Sequence, residues 1–187
     1  MRVISGSFKG KKILEPKDKN TRPLKDLTKE SIFNIINHSN NFSVKIENSY
    51  ILDLFSGVGS FGIDCLSRGA KEVIFVENYN KVLPILKKNL LNLKSISNYK
   101  IIEKNIYDDN FFNNFKNKFE IIFLDPPYKD QNLNKLLLTI RDQKIIKDNG
   151  ILIMHRNKNT KDFFSKDIKI INVKKYGISK IYFLSFL

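Results

Sequence analysis

At the N-terminal end, apolar positions are sparse and strand-like. Val3 to Phe8 and Lys11 to Leu14 flank Lys9-Gly10, which predicts a short basic β-ribbon over residues 1–20 that forms an arm, not part of the core. After a lysine-rich connector, Pro23 suits the first turn of a helix, and Leu27, Ile32, Phe33, Ile35 and Ile36 supply a helical apolar stripe. Residues 39–48 read as a polar loop. From Tyr50 the pattern becomes regular: strand 50–54, helix 59–68, strand 72–77, helix 80–93, strand 99–103, a short helix near 108–116 and strand 119–124. Helix 131–141, strand 150–155 and closing strands near 167–174 and 179–186 complete it. Runs such as Ile121-Ile122-Phe123-Leu124 are apolar at every position, as a parallel sheet covered on both faces requires. The expected fold is therefore α/β and doubly wound, Rossmann-like, with a mostly parallel seven-stranded sheet spanning residues 21–187. No helix pattern separates the last two strands, so they are expected to form an antiparallel C-terminal hairpin.

Composition narrows the function classes. At 187 residues the chain can bury one main core without disulfides or a structural metal, and its single cysteine, Cys65, excludes a disulfide framework or a thiolate metal cluster within one chain. No apolar run approaches the ~20 residues of a membrane helix, and Met1 to Gly6 lacks a signal-peptide core, so a cytoplasmic protein is expected. The formal charge of +14 is unevenly placed. Residues 1–30 carry nine Lys/Arg against four Asp/Glu and residues 156–180 eight against two, whereas the stretch between them carries sixteen against thirteen. Charge gathered at both chain ends fits a surface that meets phosphates.

Two motifs carry chemistry. Asp53-Leu54-Phe55-Ser56-Gly57-Val58-Gly59-Ser60-Phe61-Gly62 follows a strand and opens a helix, where glycines permit a tight turn and close backbone approach. Glu77 ends the next strand, about twenty residues on, where a carboxylate can accept ribose hydroxyls. Asp53 is a second acid that ill suits a pyrophosphate but suits an ammonium group. S-adenosylmethionine has an ammonium, a carboxylate and a ribose, and carries no phosphate.

The second motif, Asp125-Pro126-Pro127-Tyr128, follows the apolar run 121–124 and is expected to face the same cleft. Consecutive prolines stiffen the turn and donate no N–H. An exocyclic amine fits this arrangement: the Asp125 carboxylate takes one N–H, a backbone carbonyl, that of Pro126, takes the other, and Tyr128 stacks on the base. Fixed acceptors stabilise positive charge developing on a nitrogen whose lone pair is otherwise delocalised into the ring, and no metal is needed.

The chain resembles the RsmD family of bacterial methyltransferases along nearly its whole length. The resemblance is carried by Arg2-Val3-Ile4-Ser5-Gly6, Lys9-Gly10-Lys11-Lys12-Ile13-Leu14, Thr21-Arg22-Pro23 and Lys29-Glu30-Ser31-Ile32-Phe33-Asn34. It continues through residues 53–62, Leu66-Ser67-Arg68-Gly69-Ala70, Val76-Glu77 and Asp125 to Tyr128. It implies transfer of a methyl group from S-adenosylmethionine to N2 of a guanine in 16S ribosomal RNA, with the small ribosomal subunit as partner. Cofactor contacts are then expected from Asp53, Phe55, Ser56, Gly57, Gly59, Glu77, Asn78, Asn105 and Ile106, and RNA contacts from Arg2, Lys9, Lys11, Lys12 and Arg22. Two departures stand out. Asn105 occupies a position where such enzymes often place Asp, and Met154-His155-Arg156 replaces a stretch where the family often has Glu. His155 itself reads as a partly exposed strand-end histidine, and the chain is expected to act as a monomer. The same amine chemistry leaves adenine-N6 methylation of DNA or RNA open, and a non-catalytic RNA-binding or ribosome-assembly module is the alternative from another class.

Overall fold

The computed structural model describes residues 1–16, 24–115, 118–127 and 129–187. Helix α1 (Asp26–His38) leads into an alternation of β1 (Tyr50–Leu54), α2 (Ser60–Ser67), β2 (Glu72–Val76), α3 (Leu83–Leu91), β3 (Tyr99–Ile102), a 3-10 turn (Phe111–Asn114) and β4 (Phe119–Leu124). The chain continues with α4 (Leu133–Asp142), β5 (Ile146–Asn157), β6 (Ile168–Tyr176) and β7 (Ser179–Phe186). The seven strands form one sheet in the order β3-β2-β1-β4-β5-β7-β6. The pairs β1 with β2 and β4, β2 with β3, and β4 with β5 are parallel, and β7 runs antiparallel to both β5 and β6. The expected fold and its closing hairpin are thus present.

Alternation along each strand explains the continuous apolar runs. Ile51, Phe75, Ile121, Phe123, Ile153 and Phe183 face the side covered by α1, α2 and α3, where Phe33, Phe61 and Phe123 stack with centroid separations of 5.4 and 4.0 Å. Leu52, Leu54, Ile122, Leu124, Leu152 and Leu184 face the other side, beneath α4 and Phe111-Phe112. Gly62 lets α2 lie close to β2, because a Cβ there would come within 2.3 Å of the Phe75 ring. Strand β5 is longer than expected; its register on β4 shifts between Phe119 and Ile121, and this irregularity lets it continue through Gly150. The loop expected to be polar at 39–48 buries Val44 and Ile46, and Phe42 stacks on Phe183 at 5.7 Å.

The N-terminal segment differs most from expectation. The ribbon is reduced to a single antiparallel bridge, Arg2 with Lys12, and Val3 and Ile13 are buried in the core. The physical reason is that α2 and α3 take up the segment's backbone groups. The N–H of Ile4 donates to Asp64 Oδ1 (2.8 Å), the N–H groups of Ser7 and Phe8 donate to the carbonyl and Oγ of Ser67, and Ser67 Oγ donates to the Ser5 carbonyl. Asn89 on α3 bonds both backbone groups of Leu14. Gly6, at φ +84°, makes the turn; a Cβ there would sit 1.9 Å from the Ser67 carbonyl oxygen. Beneath the segment, Lys29 Nζ donates to Asp64 Oδ2 (2.6 Å) and to the Arg2 carbonyl (3.0 Å), both charged side chains being fully buried.

Candidate active site

The strand order reverses between β1 and β4, and in an open α/β sheet the carboxyl ends at such a point border the ligand crevice. A cavity of about 420 Å³ lies there. It is lined by Asp53, Phe55, Ser56 and Gly57 from β1 and the turn into α2, Glu77 and Asn78 after β2, and Asp125, Pro126 and Pro127 after β4. His155 at the end of β5 and Ser179 at the start of β7 close its far wall.

Asp53 is 1% exposed. Its Oδ2 accepts the N–H of Gly62 (3.1 Å), in the first turn of α2, and its Oδ1 has no partner among the described residues. Burial pushes this carboxyl well above the usual range; the Gly62 N–H opposes the shift, and the neighbouring Asp125 and Glu77 add to it. Ser56 Oγ is likewise buried and unpartnered among the described residues. Two polar atoms in one cavity wall thus lack partners, a cost that a bound ligand relieves.

Glu77 is already engaged. Its Oε2 accepts the N–H of Gly57 (2.8 Å), and its Oε1 accepts those of Asn78 (2.9 Å) and Tyr79 (2.8 Å). The carboxylate therefore clamps the glycine turn to the end of β2. Gly59 N donates to the Ser56 carbonyl (2.8 Å), so neither this N–H nor that of Gly57 is free to cradle a phosphate.

At the β4 turn, Asp125 Oδ1 lies 2.8 Å from His155 Nδ1, and His155 Nε2 lies 2.9 Å from Ser179 Oγ. His155 is 7% exposed, so the expectation of a partly exposed strand-end histidine is corrected: β5 lies between β4 and β7, and both neighbours supply a partner. The Pro127 carbonyl accepts from Arg156 Nη1 (3.0 Å) and Asp130 N (3.0 Å), whereas the Pro126 carbonyl accepts no hydrogen bond among the described residues. Arg156 is itself anchored through Nε to Asp162 Oδ1, and Lys180 and Tyr182 hold Oδ2 of that carboxylate. His155, Arg156 and Ser179 escaped sequence reasoning as site residues, because the register of β5 on β4, Met154 beside Leu124, that brings His155 next to Asp125 is not visible in the sequence.

Other expected site residues fall elsewhere. Asn105 and Ile106 do not line the cavity. Asn105 Oδ1 accepts the N–H of Tyr107 (3.1 Å), Ile106 is buried in the core, and it is Tyr107 whose ring approaches Phe55, at 6.3 Å. Tyr107 donates to Asp130 Oδ2 (2.7 Å), and burial, then Asp130, raises its phenol. Gly59 sits at the start of α2 behind the lining. Tyr128 and Arg22 lie outside the described residues. Arg2, Lys9, Lys11 and Lys12 are exposed on the docked N-terminal segment. The turn holding Lys9 packs at Ser67, the end of α2 remote from cavity-lining Ser60, and Lys11 Nζ donates to the Asn92 carbonyl after α3.

Solved structures share this architecture. The HI0767 protein of Haemophilus influenzae is 29% identical, with a TM-score of 0.73 over 100% of this chain and 98% of that one. The yhhF protein of Escherichia coli, at 23% identity, shares the fold with a TM-score of 0.80 over 98% and 96% of the two chains. The molecule is a Rossmann-like methyltransferase that uses S-adenosylmethionine. Among named relatives, the ribosomal RNA small subunit methyltransferase D of Buchnera aphidicola subsp. Baizongia pistaciae is 30% identical over 183 residues, 98% of this chain and 89% of its own. YlbH of Bacillus subtilis is 36% identical over 160 residues, covering 84% and 83%. The sequence model described as Conserved hypothetical protein 95 matches residues 1–185, and the chain belongs to that family, the RsmD family.

Proposed function

We propose that the chain methylates the exocyclic N2 amine of a guanine in 16S ribosomal RNA. The observation that carries this reading is the pairing, in one cavity, of the Asp125 carboxylate and the Pro126 carbonyl, which accepts no hydrogen bond among the described residues, with the acids of β1 and β2. Relatives named for the small ribosomal subunit, including that of Haemophilus influenzae at 30% identity over 181 residues, support the substrate class.

The cavity fits the cofactor on its own chemistry. Asp53, Glu77 and Asp125 make an acidic pocket in a chain of formal charge +14, suited to a ligand that carries sulfonium and ammonium groups and no phosphate. Asp53 Oδ1 and Ser56 Oγ would hold the amino-acid end, and Glu77 the ribose, beside Asn78 and Phe55. When bound, S-adenosylmethionine supplies a methyl group made electrophilic by its sulfonium sulfur. Asp125 accepts one N–H of the target amine and the Pro126 carbonyl accepts the other, which aims the nitrogen lone pair. As the nitrogen-to-carbon bond forms, the carbon-to-sulfur electron pair stays on sulfur and the surplus proton leaves nitrogen toward Asp125.

Placement of charge favours the C-terminal hairpin as the surface beside the mouth. Ile178, between β6 and β7, lines the cavity and is exposed, and Lys158, Lys174 and Lys175 are exposed around it. RNA phosphates meeting these lysines would bring a flipped guanine to the Asp125 turn. The N-terminal Arg2, Lys9, Lys11 and Lys12 belong to a second phosphate-facing surface in this proposal, and Arg22, outside the described residues, keeps its expected role in meeting RNA. Among the described residues no helix is long and apolar enough to cross a membrane, and a monomer acting in the cytoplasm completes the proposal.

The test is transfer of labelled methyl from S-adenosylmethionine to unmodified small ribosomal subunits, naked ribosomal RNA and duplex DNA in parallel, followed by nucleoside analysis. N2-methylguanosine in ribosomal RNA is the expected product. N6-methyladenosine would overturn the substrate, and no label with any of the three would favour a binding module.

A further inference from the structure

We propose that His155 is a positioning residue for methyl transfer, orienting the Asp125 carboxylate through Nδ1–H while Ser179 holds the opposite edge of the ring. The inference rests on the reading that Asp125 receives the target amine. Three adjacent strands build the arrangement. Leu124 on β4 pairs with Met154 on β5, so Asp125 and His155 emerge side by side; β7 runs antiparallel on the other side of β5 and brings Ser179 against the opposite edge of the imidazole.

The direction of each bond follows from donor chemistry. An ionised carboxylate only accepts, so at 2.8 Å from Asp125 Oδ1 it is Nδ1 that carries the ring proton. In the neutral ring Nε2 is then an acceptor, and the rotatable hydroxyl of Ser179 donates to it across 2.9 Å. With both nitrogens engaged and the residue buried, the imidazole has one orientation and holds Asp125 Oδ1 in place. Asp125 Oδ2 is the oxygen left for the incoming amine, since Asp125 makes no other side-chain hydrogen bond among the described residues. An acceptor held by a second group keeps the alignment that an in-line transfer needs.

Proton balance closes without a change at the ring. The amine nitrogen gains the methyl carbon, sulfur retains the bonding pair, and the proton released from nitrogen passes to Asp125 Oδ2 and on to solvent at the mouth. Throughout, Nδ1–H continues to donate to Oδ1. His155 therefore acts through Asp125 and does not touch the transferred methyl.

Paired substitutions separate this role from packing. His155→Asn places its side-chain amide near the Nδ1 position and keeps a donor for Asp125; His155→Gln places it near Nε2 and keeps only the Ser179 contact. Kinetics on small ribosomal subunits are expected to give a kcat about 10–100-fold lower for His155→Gln, with KM for S-adenosylmethionine and affinity for S-adenosylhomocysteine near wild type, and partial rescue in His155→Asn. Nitrogen-15 imidazole spectra of the free protein should show His155 as the Nδ1–H tautomer in wild type and in Ser179→Ala, and as mixed tautomers in Asp125→Ala; His38 is the only other histidine to assign. Equal kcat in the Asn, Gln and wild-type proteins, or an Nε2–H tautomer in wild type, overturns the proposal. A wild-type protein that methylates no RNA while showing the Nδ1–H tautomer defeats the reaction on which it rests and leaves the hydrogen-bond geometry standing.

Discussion

Replacing Glu77 by Gln tests the cofactor wall at one atom. The carboxylate accepts three backbone N–H bonds, one from Gly57 on Oε2 and two from Asn78 and Tyr79 on Oε1, which leaves roughly one of its four acceptor positions for a ribose hydroxyl. In Glu77→Gln the amide oxygen is best placed against the two donors of Asn78 and Tyr79, so the NH2 group faces the Gly57 N–H, donor against donor. A charge-assisted bond at the glycine turn is lost and the acceptor next to the ribose becomes a donor. The charge-assisted bond to the ribose hydroxyl contributes about 1.5–3 kcal/mol to binding, so affinity for S-adenosylhomocysteine should fall about 10–100-fold. Glu77→Ala, which releases all three N–H groups, should fall further and loosen the Ser56-Gly57 turn. Titration calorimetry on the free protein reads the affinity, and thermal unfolding separates binding from loss of fold. A Glu77→Gln protein that binds within about threefold of wild type would refute the role given to this carboxylate.

Three further outcomes follow from the packing and charges. Lys29→Met leaves the Asp64 carboxylate buried against a single N–H; losing one partner of such a pair costs about 3–5 kcal/mol, roughly 6–20 °C in Tm for a chain of this size, and Lys29→Met/Asp64→Leu should recover most of it. A fall below about 2 °C in the single variant would contradict the docked N-terminal segment. Because burial raises the Asp53 carboxyl in the folded protein, its stabilising contribution is complete below about pH 4 and is lost as pH rises through the folded value. Ligand-free Asp53→Asn should therefore gain on wild type in urea midpoint between pH 4 and neutrality; a difference independent of pH would sink that reasoning. Lys174→Glu with Lys175→Glu should weaken RNA binding and flatten its salt dependence by about one phosphate contact per lysine, and an unchanged slope would remove the hairpin from the interface.

The β1 to β5 core was legible because each buried strand is apolar on both faces and each intervening helix carries a stripe. The cavity was legible for a related reason: Asp53, Glu77 and Asp125 all end such strands, and strand ends at the reversal point share one crevice. The N-terminal segment was not, since its alternation near Val3 is indistinguishable from that of a free ribbon, and its true partners, Asp64, Ser67 and Asn89, lie about sixty or more residues away on helices. His155 was misread for the same reason. Its neighbours Asp125 and Ser179 are 30 and 24 positions distant and meet it only through the order β4-β5-β7. Asn105 and Ile106 came from resemblance, and the residue of that loop whose ring lies near the cavity-lining Phe55 is Tyr107.

The most direct measurement pairs two readouts on Asp125→Ala: single-turnover methyl transfer to unmodified small ribosomal subunits, and calorimetric affinity for S-adenosylhomocysteine. Transfer should fall by at least about 100-fold while affinity stays within a few-fold of wild type, because the amine acceptor is lost and the β1 and β2 wall is intact. Transfer at the wild-type rate would contradict the assignment of this turn as the reaction centre.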